Sequence, residues 1–148
     1  MNYKSYPFRY NEDFTQFDFQ SIGKRGVFEK VITFSIISEN IYNLALMDFD
    51  PISQTYNDQS VTDNGDMPEI LATVMTAIID FLNQYPERRI YLIGNTESRT
   101  RLYQIAINKV ISQTKSDLIV LGYYEHQWIA FEPNRKFESF LIARNFLD

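Results

Sequence analysis

The sequence contains no cysteine and a single histidine, His126. Without cysteine the chain can form no disulfide, no thiolate metal site and no cysteine nucleophile. One histidine also excludes a metal site built from two histidines. The lack of cysteine agrees with a reducing compartment, and we expect a cytoplasmic protein.

Long hydrophobic runs are also missing from the sequence. No run of about 18 apolar residues occurs, and the opening MNYKSYPFRYNEDF has no apolar stretch of signal-peptide length. We therefore expect a soluble chain that does not enter a membrane. Glycine-rich nucleotide loops and the G-x-S-x-G hydrolase motif do not occur. The sequence thus offers no support for serine or nucleotide-loop chemistry, and we expect no cofactor.

What the chain has in quantity is apolar and aromatic side chains. Its 148 residues are 45% hydrophobic and 16% aromatic, with 12 Phe and 10 Tyr. A chain of this length and composition can bury a substantial core and fits one domain. We therefore expect a single domain over residues 1–148.

The first half of the chain has the patterns of strands joined by short turns. FTQFDFQSI (14–22) alternates aromatic and polar residues, which is the period of a half-buried strand. GKRG (23–26) predicts a tight turn, and β-branched and aromatic residues fill 27–37 and 41–50. These segments predict an antiparallel meander of three strands.

The rest of the chain mixes helical and strand patterns. Asp63, Asn64 and Asp66 are candidate N-caps of a first helix, and QYP (84–86) ends it. The later predicted elements are a strand at 89–94, a helix at 97–113, strands at 117–125 and 126–132, and a strand or helix at 136–146. The order βββ-α-β-α-ββ, with its C-terminal element undecided, predicts the α+β class with helices packed on a mostly antiparallel sheet.

Charge is distributed unevenly along the chain. The net charge is −5, which argues against a general nucleic-acid coat. Residues 48–69 hold six acids and no base, whereas residues 88–101 hold four arginines and one glutamate. These oppositely charged segments predict either a contact within the fold or two surfaces for partners.

Two of those arginines, Arg99 and Arg101, fall at the start of the predicted second helix. The helix dipole disfavours positive charge at that end by roughly 0.3–1 kcal/mol. An anionic ligand would explain the pair, because Asn95 and Thr96 lie in the loop that opens the helix and free N–H groups there attract anions. The predicted binding site is therefore Asn95, Thr96, Arg99 and Arg101.

A structural explanation of the same arginines is that the protein supplies the anion itself. The acids at the head of the first helix are Asp63 and Asp66, and the acid-rich segment begins with Asp48 and Asp50. We expect at least one arginine to bond to an acid in 48–69, with Asp63 and Asp66 as the preferred partners. The other arginine would then remain for a partner.

Two further sites are weaker hypotheses. Lys24 and Arg25 at the predicted turn, with Lys30 and the neighbouring Phe19 and Phe28, resemble a nucleic-acid surface on which bases stack on aromatic rings. A solvated turn with its aromatics in the core also explains this pattern, and it is the interpretation that we prefer.

Asp48, Asp50 and Asp66 could hold a divalent metal for a hydrolase, since hard cations take carboxylate ligands. Their spacing matches no calcium-binding loop, and turn formation and capping account for Asp66. We therefore expect no metal.

The blocks KRGVFEKVITF, YNLALMDFD, DNGDMPEILATV and GNTESRTRLYQIAI resemble a family of small uncharacterised proteins found mainly in Bacteroidetes-type bacteria. The resemblance covers about residues 19–125, with N-G-D and R-T-R-L-Y as its most distinctive motifs. It implies one domain in which Asn64, Gly65, Asp66, Arg99 and Arg101 belong to a shared pattern, and it implies no activity.

The leading hypothesis from the sequence is a non-enzymatic binding domain. Its partner would be an unknown protein or a small anionic ligand at the Arg99/Arg101 helix start. A nucleic-acid-binding module and a metal-dependent hydrolase are the alternatives.

Overall fold

The computed structural model describes residues 4–57, 64–113 and 117–144. Within these residues the chain forms nine strands and two helices in an α+β arrangement. The strands are β1 (Phe8–Tyr10), β2 (Gln16–Gly23), β3 (Gly26–Ser38), β4 (Ile41–Asp50), β5 (Thr55–Asn57), β6 (Arg89–Leu92), β7 (Ile119–Tyr124), β8 (Gln127–Ala130) and β9 (Phe140–Ala143). The helices are α1 (Met67–Gln84) and α2 (Glu97–Gln113).

All nine strands belong to one sheet. Its order is β1-β2-β3-β4-β6-β9-β7-β8, and β5 pairs with the end of β4. The pairs are antiparallel except for β4 and β6, which run parallel. The predicted α+β class with a mostly antiparallel sheet is therefore confirmed.

Helix α1 forms where the sequence predicts it. Pro68 and Glu69 lie in its first turn, where a missing N–H is tolerated and negative charge is favoured. The helix ends where Tyr85 donates its N–H to the carbonyl of Phe81, one residue before Pro86.

The core lies between one face of the sheet and the two helices. Alternate residues of each strand point to this face, as the pleat requires. Fully buried members come from both halves of the chain: Phe17, Ile32, Phe81, Ile90, Ile107, Phe140 and Ile142. No helix in the described parts of the chain covers the opposite face of the sheet.

Three details extend or correct the sequence predictions. The undecided C-terminal element is a strand, β9, and it lies between β6 and β7 inside the sheet. A short edge strand, β1, was not predicted. The predicted strand at 89–94 is shorter, Arg89–Leu92, and it is buried on one face only, since Ile90 and Leu92 are buried whereas Arg89 and Tyr91 are half-buried on the uncovered face.

Candidate functional site

The start of α2 is fixed by a set of short-range hydrogen bonds. The Thr96 hydroxyl accepts from the Arg99 N–H at 3.1 Å, and the Thr100 hydroxyl accepts from the Gly94 N–H at 2.9 Å. A Cβ on Gly94 would lie 2.4 Å from the Thr100 nitrogen, so only glycine lets the helix start so close to β6. Two of the first four N–H groups of α2, those of Arg99 and Thr100, are bonded within this turn. The loop therefore sets the position of both arginines.

Arg99 and Arg101 open onto different cavities. Residues two apart on a helix do not share a face. Arg99 is half-buried and lines a cavity of about 140 Å³ beside Tyr103. Arg101 is exposed and lines a larger groove of about 970 Å³ between α2 and residues 133–138. Asn95 borders both cavities, whereas Thr96 borders the groove alone.

The Arg99 cavity lies where β4 and β6 stop pairing. The two strands pair only through Ile41–Asn43 and Arg89–Tyr91, and β5 pairs with Asp48–Asp50. On this side, no strand of the described chain pairs with residues 44–47. The cavity fills part of this gap.

Strand register shows which main-chain groups face the gap. The Phe34 N–H donates to the Thr15 carbonyl, on the side away from β4. Phe34 lies opposite Leu44 on β4, so the N–H and C=O of Leu44 point away from β3. The N–H and C=O of Leu46, two residues further along, point the same way. The cavity wall thus combines main-chain polar groups with apolar side chains.

Tyr103 is the second polar side chain next to Arg99. It follows Arg99 by one helical turn and is 3% exposed. Burial raises the pKa of its hydroxyl, while the nearby, hydrogen-bonded Arg99 guanidinium acts in the opposite direction. The hydroxyl is therefore a neutral donor or acceptor beside a fixed positive charge.

The groove beside Arg101 is held in shape by Gln104. Its side-chain amide donates to the carbonyls of Pro133 at 3.2 Å and Arg135 at 2.6 Å, and its carbonyl accepts from the Phe137 N–H at 3.5 Å. These bonds fasten the segment before β9 to the middle of α2.

Ion pairs neutralise other charges around this groove. Lys136 lies 3.6 Å from Glu97, and Arg135 lies 2.6 Å from Glu132. Among the described residues no ion pair involves Arg101. Arg101 therefore presents its charge to the groove.

The predicted pairing of an arginine with Asp66 is wrong. One Asp66 carboxylate oxygen accepts from the Tyr6 hydroxyl and from the Ser21 hydroxyl, each at 2.5 Å. Burial and the Asp66 bond raise the pKa of Tyr6 to about 12. Asp63, the other preferred partner, lies outside the described residues.

Asp48 and Asp50 are also bonded elsewhere. Asp48 forms an ion pair with Lys30 that is largely buried, and Asp50 accepts from the Ile52 N–H at 2.9 Å. Within the described chain, no ion pair joins Arg99 or Arg101 to an acid of segment 48–69. The three acids proposed as metal ligands, Asp48, Asp50 and Asp66, thus have separate partners. The described residues contain no group of three acid, histidine or cysteine side chains placed to hold a metal.

The nucleic-acid hypothesis rests on the β2–β3 turn, which Asn64 holds in place. The Asn64 side chain accepts from the Arg25 N–H at 2.7 Å and donates to the Ser21 hydroxyl and the Gly26 carbonyl. Lys24 and Arg25 are exposed at this turn.

Two other members of the proposed nucleic-acid surface are not at the surface. Lys30 is 7% exposed and bonded to Asp48, and Phe19 is 3% exposed in the core. Of the three predicted basic residues, Lys24 and Arg25 are therefore accessible to a nucleic acid, but the Phe19 ring is not available for stacking.

Sequence reasoning missed Tyr103, Gln104 and Tyr6. Tyr103 had a detectable signal, since positions four apart on a helix share a face and Arg99 was already singled out. Gln104 and Tyr6 had none, because their partners lie 29 or more residues away.

The fold and this site define a single-sheet α+β protein with a cationic cavity at a strand–helix junction. The chain belongs to a family of unknown function, DUF6934, whose model matches residues 2–145. No curated protein and no solved structure matches the chain. In the described part of the chain, neither helix is long and apolar enough to cross a membrane.

Proposed function

We propose that this chain is a non-enzymatic binding domain whose ligand is a small anion held at Arg99. The observation that carries the proposal is a half-buried guanidinium facing a cavity whose described lining contains no acid. A cation in such a place favours a ligand that brings the missing negative charge. The exposed Arg101 would serve a larger ligand or a protein partner on the groove side.

The size and lining of the Arg99 cavity support a small, partly apolar ligand. A volume of about 140 Å³ suits a short carboxylate or an inorganic oxyanion. Leu44, Leu46 and Ile93 supply apolar walls, and Asn43 and Tyr103 supply neutral polar groups. The ionisable side chains of the described lining are Arg99 and Tyr103, and burial raises the pKa of the Tyr103 hydroxyl, which suits the pair to holding an anion rather than to accepting a proton near neutral pH.

The test is a titration of the purified protein with acetate, butyrate, inorganic phosphate and sulfate by isothermal calorimetry. We expect at least one of these anions to bind. Arg99→Gln should weaken that binding by roughly tenfold to a hundredfold, because a hydrogen bond to a charged group contributes about 1.5–3 kcal/mol.

Arg101→Gln is the matched control. It makes the same change two residues away, on a side chain that faces the groove rather than the cavity. The affinity for the small anion should stay within about twofold of wild type, as expected for a surface change of about 0.5 kcal/mol or less. Equal losses in both variants, or no binding of any anion by the wild type, would remove the Arg99 cavity from consideration.

The alternatives have less geometric support. A nucleic-acid surface would rest on Lys24 and Arg25, and a metal-dependent hydrolase on acids that already have separate partners. We further propose a cytoplasmic location in a bacterial cell, which the absence of cysteine and the family resemblance support.

A further inference from the structure

The half of the sheet formed by β6, β9, β7 and β8 has an outer face that is apolar apart from Arg89 at the start of β6. Trp128 lies across it, with its ring 5.1 Å from the Tyr123 ring and 6.3 Å from the Tyr91 ring. Trp128 is 41% exposed, and Ile119 on the same face is 43% exposed. This face ends at β8, which is the edge strand of the sheet.

The outer edge of β8 carries main-chain groups without a strand partner in the described chain. The Phe131 N–H donates to the Val120 carbonyl on β7. Main-chain groups alternate in direction along a strand, so those of Ile129 and Gln127 also point towards β7. The N–H and C=O groups of Trp128 and Ala130 therefore point outward. Strand β8 reads QWIA and has neither the charge nor the proline with which natural edges prevent pairing. At the opposite edge of the sheet, β1 carries Arg9.

We propose that β8 is a self-association edge whose partner is a second copy of this chain. Two copies related by a twofold axis through Ile129 place Trp128 opposite the partner's Ala130 in an antiparallel pair. The outward groups of both residues then form four main-chain hydrogen bonds across the axis. The sheet continues from one copy into the other.

Side chains fit this register. The large side chain of Trp128 lies beside the small side chain of the partner's Ala130, and Ile129 faces the partner's Ile129. Just outside β8, the turn residue His126 comes near the partner's Glu132, a carboxylate that also pairs with Arg135 of its own chain, so a group that can donate a hydrogen bond meets an acid. Each chain carries a net charge of −5, and this register brings no two acids face to face. A four-residue edge buries little area, so the dimer is weak and depends on concentration.

Cysteine cross-linking tests the register, because the chain has no cysteine of its own. In a non-hydrogen-bonded antiparallel pair the Cα atoms are about 4.5 Å apart, which is within disulfide range. Ile129→Cys should therefore form a disulfide-linked dimer under mild oxidation. Gln127→Cys is the control, since its copies lie roughly 13–14 Å apart and should remain uncrosslinked. Cross-linking of both variants, or of neither, would overturn the proposed register.

Proline at Ala130 tests the hydrogen bonds. The Ala130 N–H faces away from β7, so Ala130→Pro removes an interchain donor without breaking a bond inside the chain. By sedimentation equilibrium, we expect the wild-type average mass to rise towards two chains with concentration. Ala130→Pro should raise the dimer dissociation constant about tenfold or more, whereas Ala130→Ser, which keeps the N–H, should change it less than about threefold.

Thermal melting followed by circular dichroism shows whether Ala130→Pro weakens only the dimer or also destabilises the fold. If Ala130→Pro does not melt as the wild type does, His126→Glu is used instead, because it places two acids opposite each other across the axis. That variant should also weaken the dimer, and an unchanged dissociation constant would overturn the proposal. A wild type that remains monomeric at all concentrations would do the same.

Discussion

The chemistry of single residues depends on partners that lie far away in the sequence. Asp66 was a candidate helix cap, and it does occupy the N-cap position of α1, yet its side chain makes no capping bond. Its carboxylate instead accepts from Tyr6 and Ser21, 60 and 45 residues away. Capping rules consider three or four neighbouring residues, so they could predict the position of Asp66 but not its partner.

Tyr6 gives a prediction about stability at high pH. Its pKa is raised from 10.0 to about 12 by burial and by the bond to Asp66. The folded state therefore holds this proton more tightly than the unfolded state. The stabilisation is complete below pH 10 and is lost as the pH rises towards 12. The free energy of unfolding should fall more steeply over this range in the wild type than in Tyr6→Phe.

Urea titrations on either side of pH 10 measure this difference. Tyr10→Phe is the control, because Tyr10 is 54% exposed and belongs to the same N-terminal segment. It should follow the wild-type pH dependence. If Tyr6→Phe also follows it, the Tyr6 hydroxyl does not contribute in this way.

Secondary-structure elements were predictable where local patterns decide them. The β2–β3–β4 meander follows from alternation and short turns, and the first helix follows from its candidate N-caps and the QYP sequence that ends it. The position of β9 between β6 and β7 was not predictable, because it depends on pairing between strands that are not consecutive. The cavity beside Arg99 depends on another pair of non-consecutive strands, since it lies in the gap where β4 and β6 stop pairing.

Gln104 joins helix α2 to the segment 133–137, and its loss should loosen that segment. Gln104→Ala removes the donors to Pro133 and Arg135, leaving partly buried carbonyls without their partners. A cost of about 1–3 kcal/mol in the free energy of unfolding is expected. Hydrogen exchange at the Phe137 amide should also become faster, because its acceptor is lost.

Asn108→Ala provides the comparison one turn later on the same helix. Asn108 lines the same groove. It should change stability by no more than about 0.5 kcal/mol and leave the Phe137 amide protected. Similar exchange rates in both variants would show that Gln104 does not hold the segment.

The whole molecule is joined through its sheet. Strand β4 of the first half and β6 of the second half are parallel, as expected for strands linked by a crossover helix. The sequence predicted the two helices and the mostly antiparallel sheet, but not which strands would meet at the junction. Since core residues from both halves form one cluster, we expect residues 1–148 to unfold as a single cooperative unit.

A matched pair of substitutions tests this cooperativity. Ile32 on β3 and Ile142 on β9 are both fully buried, and Ile→Val costs about 0.5–1.5 kcal/mol at such positions. The chain has one tryptophan, Trp128, which reports on the second half, while far-UV circular dichroism reports on the whole fold. Ile32→Val should lower the urea midpoint seen by Trp128 fluorescence as much as that seen by circular dichroism, and Ile142→Val should do the same. A fluorescence midpoint that moves with Ile142→Val but not with Ile32→Val would instead show two units that unfold separately.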